Sequence, residues 1–151
     1  MTEIRDLLSY RLHVVANLLS RGAELRYRRE FGVSLWEWRT LALLGAAPEP
    51  LSLNHLAHAA GIHKSQMSRV VSGLAERRLV RRAADPVDGR GLHIALSASG
   101  RRVYEGLIKA AAERDAAFRD CLSANEKRIF DQALAKLAGQ ARQFIHGEKA
   151  E

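Results

Sequence analysis

Apolar residues recur at steps of three and four along both ends of the chain, which is the pattern of amphipathic helices. The first stretch covers residues 4–30, and its apolar stripe contains Leu8, Leu12, Val15, Leu18 and Leu19. The same pattern predicts helices over residues 98–121 and 124–147, with Ser123 and Glu126 as the capping box of the last one. Three long helices with uncovered apolar faces indicate that the chain forms a dimer.

The middle of the chain carries shorter apolar periods separated by turn residues. Ser34 and Glu37 form a capping box ahead of a helix over residues 34–45, and a proline-containing connection follows. Ser52 is placed to cap a short helix, and Gly61 then permits a tight turn with positive φ. The next helix has an inner side formed by Met67, Val70, Val71 and Leu74.

An alternating pattern begins after this helix. A basic strand with Arg81 and Arg82 leads into a loop over residues 85–91, and the run that follows alternates Leu92, Ile94 and Leu96. The order of helix, turn, helix and β-hairpin is the layout of a winged helix-turn-helix. The sequence therefore predicts a mainly α fold with a small β-hairpin wing (α+β), flanked by long N- and C-terminal dimerisation helices.

The outer side of the second central helix is polar. Its side chains are short or carry hydrogen-bonding groups that fit a DNA major groove: Ser65, Gln66, Ser68, Arg69 and Ser72. Gln66 can pair bidentately with adenine and Arg69 with guanine. Lys64 and Arg81 add cations at the two ends of this surface. The alternative is an ordinary solvated helix face.

The predicted wing loop contains Asp88-Gly89-Arg90. An arginine at such a tip can enter a narrow minor groove, where the negative potential is enhanced, and Asp88 could hold the guanidinium of Arg90 in position. The alternative is a local ion pair within the turn, of little energetic value. Both roles are compatible with the sequence.

The charge is concentrated in the same region. The chain has a net charge of +7, and the seven cations and three anions from Lys64 to Arg90 leave a local balance of +4. An excess of this kind favours a polyanionic partner, either nucleic acid or an anionic membrane surface. The charge alone does not choose between these partners, but the winged helix-turn-helix layout favours double-stranded DNA. No window approaches the roughly 18 apolar residues of a membrane span, so we expect a cytoplasmic protein.

Other classes of chemistry have weak support in the sequence. The single cysteine, Cys121, excludes an intrachain disulfide, and His55 with His58 lacks an evident third metal ligand. No nucleophile and base set, phosphate loop or paired acidic site is present, so we expect neither an enzyme nor a bound metal or cofactor. Cys121 is interpreted as a small packing residue, with a redox sensor as the alternative.

The motifs together resemble the MarR family of bacterial transcriptional regulators. The resemblance rests on residues 35–41, 61–69 and 74–82, on Asp88-Gly89-Arg90, on Leu96-Ser97 with Gly100, and on Leu122-Ser123. It implies a homodimer with dimerisation helices in residues 1–33 and 98–151, and a DNA-binding domain in residues 34–97, as one compact unit. It also implies a repressor that a small molecule releases from a pseudo-palindromic operator.

Two positions depart from the family pattern. Arg78 stands where a glycine commonly ends the recognition helix, and His63 stands where a serine or aspartate often caps it. If residue 78 still needs a positive φ, an arginine there costs on the order of 1 kcal/mol, and otherwise the helix ends differently. Either departure could shift how the helix sits in the groove.

The family resemblance implies an effector site between the dimerisation helices and the winged domain. At that junction the sequence offers His13, Trp36, Trp38 and Arg39. An aromatic pair beside cations suits an aromatic carboxylate or its coenzyme A thioester, as in relatives that control aromatic-acid catabolism. Alternatively, Trp38 is plain core. The other functional hypotheses are an architectural protein that coats DNA without sequence preference and a helical interaction module.

Overall fold

The computed structural model describes residues 3–84, 87 and 91–149. Its helices are α1 (Leu8–Phe31), α2 (Leu35–Ala46), α3 (Leu53–Ala60), α4 (Lys64–Glu76), α5 (Ala98–Arg119) and α6 (Ala124–Glu148), and its strands are β1 (Leu51–Ser52), β2 (Val80–Ala84) and β3 (Leu92–Leu96). The predicted fold class, mainly helical with a small antiparallel wing, is confirmed. Contacts divide the chain into two units, Met1–Ala111 and Ala112–Glu151.

Capping residues define the ends of the helices as the sequence predicted. The Ser34 hydroxyl accepts a hydrogen bond from the Glu37 N–H at 3.2 Å, and the Glu37 carboxylate accepts one from the Ser34 N–H at 2.7 Å. Ser52 caps α3 at 3.1 Å, and Gly61 ends it with a φ of 69°. In the second unit, the bond from the Ser123 backbone N–H lowers the pKa of the Glu126 carboxyl.

The first helix begins later than the apolar stripe suggested. Residues Ile4–Asp6 form a separate 3-10 turn, and Leu7 has extended backbone angles of −69° and 133°. The prediction of one continuous helix over residues 4–30 was therefore wrong at its start, because apolar spacing is insensitive to a single extended residue. Gly32, at a φ of 67°, ends α1 with backbone bonds to its last turn.

A three-stranded antiparallel sheet supports the wing, in the order β1-β3-β2. In its register Val80 lies opposite Leu96, Arg82 opposite Ile94, and Leu51 on the other side of Ile94. The sequence did not reveal β1, because a strand of two residues is too short to show alternation. This strand closes the far edge of β3 and ties the connection after α2 into the sheet.

The core of the first unit lies where α2, α3, α4, the sheet and the first turns of α5 meet. Its fully buried side chains include Leu41, Leu56, Met67, Val71, Leu74, Ile94 and Leu107. Thr40 is also fully buried, and its hydroxyl donates to the Trp36 carbonyl oxygen at 2.8 Å. A buried polar group that satisfies its hydrogen bond in this way avoids the cost of desolvation.

The long terminal helices expose their apolar faces. Tyr27 is the one buried residue of α1, and α6 has none among its described residues. Leu18 of α1 is 67% exposed, and Phe144 of α6 is likewise 67% exposed. Among the described residues, no helix is both long enough and apolar enough to cross a membrane.

The C-terminal end of α4 is a Schellman motif built around an arginine. The Leu79 N–H donates to the Leu74 carbonyl oxygen at 2.9 Å, and the Arg78 N–H donates to that of Ala75 at 2.9 Å. Arg78 has a φ of 59°. The helix therefore ends with the left-handed residue that the family pattern requires, although the residue here is an arginine instead of glycine.

Contacts from the start of α5 hold this strained peptide in place. The Arg78 carbonyl oxygen accepts bonds from the Ser97 hydroxyl at 2.7 Å and from the Ser99 hydroxyl at 2.8 Å. The backbone at Gly100 packs so closely that an added Cβ would lie 1.8 Å from the Leu79 carbonyl oxygen. Since several bonds fix the peptide, the local strain at Arg78 persists.

The strain at Arg78 leads to the first testable prediction. Arg78→Gly should raise the free energy of unfolding by about 1 kcal/mol, because glycine occupies left-handed backbone without the Cβ clash. Chemical denaturation at fixed protein concentration measures this change. Arg78→Ala is the matched control, because it removes the same long side chain but keeps the clash. Equal stabilities of the two variants would contradict the interpretation.

Candidate nucleic-acid interface

Helix α4 presents a polar face on the side opposite its buried residues. Met67, Val71 and Leu74 are buried in the core, which fixes the rotation of the helix about its axis. The exposed side chains on the other side are Ser65, Gln66, Ser68 and Arg69, and half-buried Ser72 continues their stripe. The structure thus brings five of the residues predicted to contact DNA onto one helix face, which we call the α4 outer face.

The remaining predicted contacts lie around this face. Lys64 is exposed in the first turn of α4, where it lines a shallow depression of about 250 Å³ together with Ser52, Asn54 and Gly91. Arg81 is exposed on β2. Asp88 and Arg90, the predicted wing signature, lie outside the described residues. All of these assignments stay predictions.

Strand register separates the two arginines of β2. Alternate residues of a strand point to the same face, so Arg82 lies on the side of buried Val80, and Arg81 lies on the other side. The guanidinium of Arg82 (Nη2) donates to the Ser72 hydroxyl of α4 at 2.8 Å. Arg82 was not among the residues predicted to contact DNA, whereas Arg81 was, although the alternation from Val80 onward was a signal for Arg82.

An ion pair anchors the other end of α4. Arg77 approaches the Glu37 carboxylate, with 3.3 Å between Nη1 and Oε1. Glu37 also belongs to the capping box of α2, so one carboxylate joins the start of α2 to the end of α4. The Glu37 side chain is 18% exposed and the Arg77 side chain is 40% exposed, so the ion pair is partly accessible to solvent.

The N-terminus of α4 lacks a side-chain cap. His63 is the N-cap residue, and its side chain accepts no hydrogen bond from the first turn. Its backbone angles of −67° and 148° are close to those of the capping residue Ser52, −69° and 155°. The backbone is therefore already suited to a serine cap, and the departure at His63 alters the bonding without moving the start of the helix.

A larger cavity lies on another side of the first unit. Its volume is about 610 Å³, and it is lined by Trp38, Arg39, Ala42, Leu43, Ala46, Ala59, Ala60, Tyr104 and Ile108. Volumes of this order are typical of small-molecule sites. Trp38 and Arg39 were predicted to bind an effector. Tyr104 and Ile108 were not, although their spacing of four residues on a predicted helix was an available signal.

The four residues proposed for effector binding do not all reach this cavity. Arg39 stacks over the Trp36 ring at 4.8 Å, and its Nη2 donates to the Ser20 hydroxyl at 3.3 Å. Trp38 packs against the ring of Tyr27 at 5.3 Å between centroids. Trp36 supports Arg39 from outside the lining, and His13 lies against Asn17 on α1.

The remaining candidate side chains do not line this cavity. Cys121 is exposed in the turn before α6, so its interpretation as a small packing residue was wrong; its thiol lies 2.9 Å from the Phe118 carbonyl oxygen. Within residues 3–84, 87 and 91–149, no cluster of three or more His, Cys, Asp or Glu side chains could hold a metal ion.

Comparison with known proteins identifies the winged segment. Residues 31–91 match the model of the MarR family. This segment is therefore similar to the MarR family, and it spans less than half of the chain. The matched segment runs from the end of α1 to the residue before β3, and it includes α2, α3, α4 and β2. No curated protein sequence matches the chain.

Solved structures extend the similarity to almost the whole chain. A MarR/EmrR family transcriptional regulator from Acinetobacter sp. ADP1 is 25% identical, with a TM-score of 0.83 over 94% of this chain and 99% of that one. The S. aureus MepR–DNA complex is 22% identical, with a TM-score of 0.81 over 89% and 98%. A probable transcriptional regulator from Pseudomonas aeruginosa is 26% identical, with a TM-score of 0.72 over 89% and 99%.

The comparisons confirm the family resemblance and the winged helix fold. The chain has the fold of the transcriptional regulators to which it is similar. The division into dimerisation and DNA-binding segments and the assignment of individual site residues stay predictions.

The missing cap of α4 can be tested by substitution. His63→Ser should raise the free energy of unfolding by about 1 kcal/mol, because a serine hydroxyl can accept from an N–H of the first turn. The control is Ser52→Ala, which should lower it by a similar amount by removing the existing cap of α3. Thermal or chemical denaturation at one protein concentration measures both. A serine that leaves stability unchanged would show that the first turn is not open to a side-chain cap.

Proposed function

We propose that the protein is a homodimeric transcriptional repressor that binds a pseudo-palindromic DNA operator and is released from it by a small effector. The observation that carries this proposal is the exposed α4 outer face on a segment similar to the MarR family. The similarity to MepR, which was solved in complex with DNA, supports DNA as the partner.

The α4 outer face has the chemistry that a major groove requires. Serine side chains at positions 65 and 68 let the helix backbone approach the groove closely, since they are short. Gln66 and Arg69 are exposed and lie three residues apart, so they share one face of the helix. Their amide and guanidinium groups can each make two hydrogen bonds to a base edge, on adenine and on guanine respectively.

The exposed apolar faces of α1 and α6 support a homodimer. Scattered apolar residues on a surface are ordinary, but long rows of them are typical of interaction surfaces. The row on α1 contains Leu8, Leu12, Val15, Leu18 and Leu19, and the row on α6 contains Ile129, Phe130, Leu134, Phe144 and Ile145. A second copy of the chain that covers these rows would also provide the second winged domain for the other half of the operator.

The 610 Å³ cavity is the proposed effector site. Its wall is mostly apolar and aromatic, and Arg39 provides a cation at one side. Stacking on Trp36 and the bond to Ser20 hold that guanidinium in a defined position. An aromatic carboxylate fits this combination, because its ring can pack on Trp38 or Tyr104 while its carboxylate pairs with Arg39.

Sequence preference separates a repressor from a protein that coats DNA. Duplexes selected by the protein from a random-sequence library should share a pseudo-palindrome and bind at least about 10³-fold more tightly than scrambled duplexes. Gln66→Ala should reduce this preference by about tenfold, because it removes a bidentate base contact. The measurement is fluorescence anisotropy at two salt concentrations. Gln132→Ala on α6 is the matched control, and equal binding to every duplex would favour an architectural protein.

The effector hypothesis has its own test. Benzoate, salicylate or benzoyl coenzyme A should weaken binding to the selected duplex, and Arg39→Gln should raise the concentration needed by about tenfold or more, because a charge-assisted bond is lost. Arg29→Gln is the matched control, since Arg29 is exposed on α1 and does not line the cavity. If Arg39→Gln leaves the release curve unchanged, the carboxylate does not bind in this cavity.

A further inference from the structure

A hydrogen bond joins the two elements that face DNA in the proposed complex. Arg82 on β2 donates through Nη2 to the Ser72 hydroxyl on α4, at 2.8 Å. Its direct partner in the sheet, Ile94, is fully buried. Directly opposed residues of an antiparallel pair share a face, so the Arg82 side chain starts from the core side of the sheet and reaches outward to α4.

Arg81 has the same charge but a different position. It lies opposite Ala95, and its side chain leaves the other face of β2. Among the residues that the structure describes, no hydrogen bond or ion pair joins Arg81 to α4. The two neighbouring arginines therefore form a natural comparison, in which charge is constant while the strand face and the contact with α4 differ.

The Arg82–Ser72 hydrogen bond lies where it can fix the position of the α4 outer face. Ser72 follows Ser65 by seven residues and Ser68 by four, so it continues the stripe that faces the groove. The chain itself connects α4 to β2 through Arg77, Arg78 and Leu79, at the C-terminal end of the helix. The Arg82 bond is a further connection, one helical turn earlier, and it adds a constraint on the angle between helix and strand.

We propose that Arg82 is a positioning residue for the recognition of a DNA sequence. Its hydrogen bond to Ser72 fixes β2 against α4. This inference rests on the proposed function as a sequence-specific DNA-binding protein. Arg81 contributes only its charge. Base-specific hydrogen bonds need side chains placed within a few tenths of an ångström, whereas attraction to phosphates tolerates larger displacements. Loss of Arg82 should therefore reduce selectivity, and loss of Arg81 should reduce affinity for all duplexes alike.

The experiment compares Arg82→Gln, Arg81→Gln, Ser72→Ala and the Arg82→Gln, Ser72→Ala double variant. Each glutamine variant removes one positive charge from β2. The probes are the duplex selected by the wild-type protein from a random library and a scrambled duplex of equal length. Fluorescence anisotropy over a series of salt concentrations gives the ratio of the two dissociation constants, and circular dichroism melting checks that each variant is folded.

We expect Arg82→Gln and Ser72→Ala each to lower the selectivity ratio by about three- to tenfold, the effect of one hydrogen bond. The double variant should lose no more than either single variant, because both residues act through the same contact. Arg81→Gln should leave the ratio unchanged and weaken binding to both duplexes equally, with a smaller salt dependence.

Two results would overturn the role of Arg82. One is an equal loss of affinity for both duplexes in Arg82→Gln, as for Arg81→Gln, which would make it a simple phosphate contact. The other is a double variant whose loss is the product of the single losses, which would show that Arg82 and Ser72 act independently. Failure of the proposed function is distinguishable, because the wild-type selection would then return no shared sequence, and the role of Arg82 in recognition would fall with it.

Discussion

The close approach of Gly100 to the Leu79 carbonyl is the constraint on which the placement of the α4 outer face depends. A side chain at residue 100 would collide with that oxygen at 1.8 Å, so only glycine permits the start of α5 to pack there. Because the start of α5 packs this closely, the Ser97 and Ser99 hydroxyls can donate hydrogen bonds to the Arg78 carbonyl oxygen. These bonds hold Arg78 in its left-handed conformation, and that conformation ends α4 and directs the chain into β2. The packing of α5 thus fixes the positions of α4 and of the strand β2.

The same arrangement explains how a change at α5 can reach the α4 outer face. The cavity proposed for the effector is lined by residues of α2, α3 and α5, including Tyr104, which lies four residues after Gly100. Gly45 of α2 packs against the Tyr104 ring, and Arg101 bonds the Gly45 carbonyl oxygen at 3.0 Å. A ligand that displaces Tyr104 would therefore act on the element that fixes the end of α4. Packed cores transmit such displacements because they contain little free space.

Much of this fold could be predicted from the sequence, because its signals are local. Ser34 with Glu37 and Ser123 with Glu126 mark helix starts by their own hydrogen bonds, and Gly61 marks a turn by its backbone freedom. Features that depend on partners distant in sequence were missed. The strand β1 exists only through pairing with β3, the Arg82–Ser72 bond depends on sheet register, and the cavity combines three helices. The positive φ at Arg78 is a local feature, but the residue itself gives no signal for it, and only the family pattern suggested it.

If two copies of the α4 outer face bind one operator, hydroxyl-radical footprinting on a selected duplex should show two protected half-sites related by a dyad. Their centres should lie about one helical turn, or roughly 10 base pairs, or a multiple of that apart. Major-groove methylation at guanines within each half-site should also interfere with binding. Uniform protection along the duplex, without a dyad or methylation interference, would show that the two copies do not bind paired half-sites.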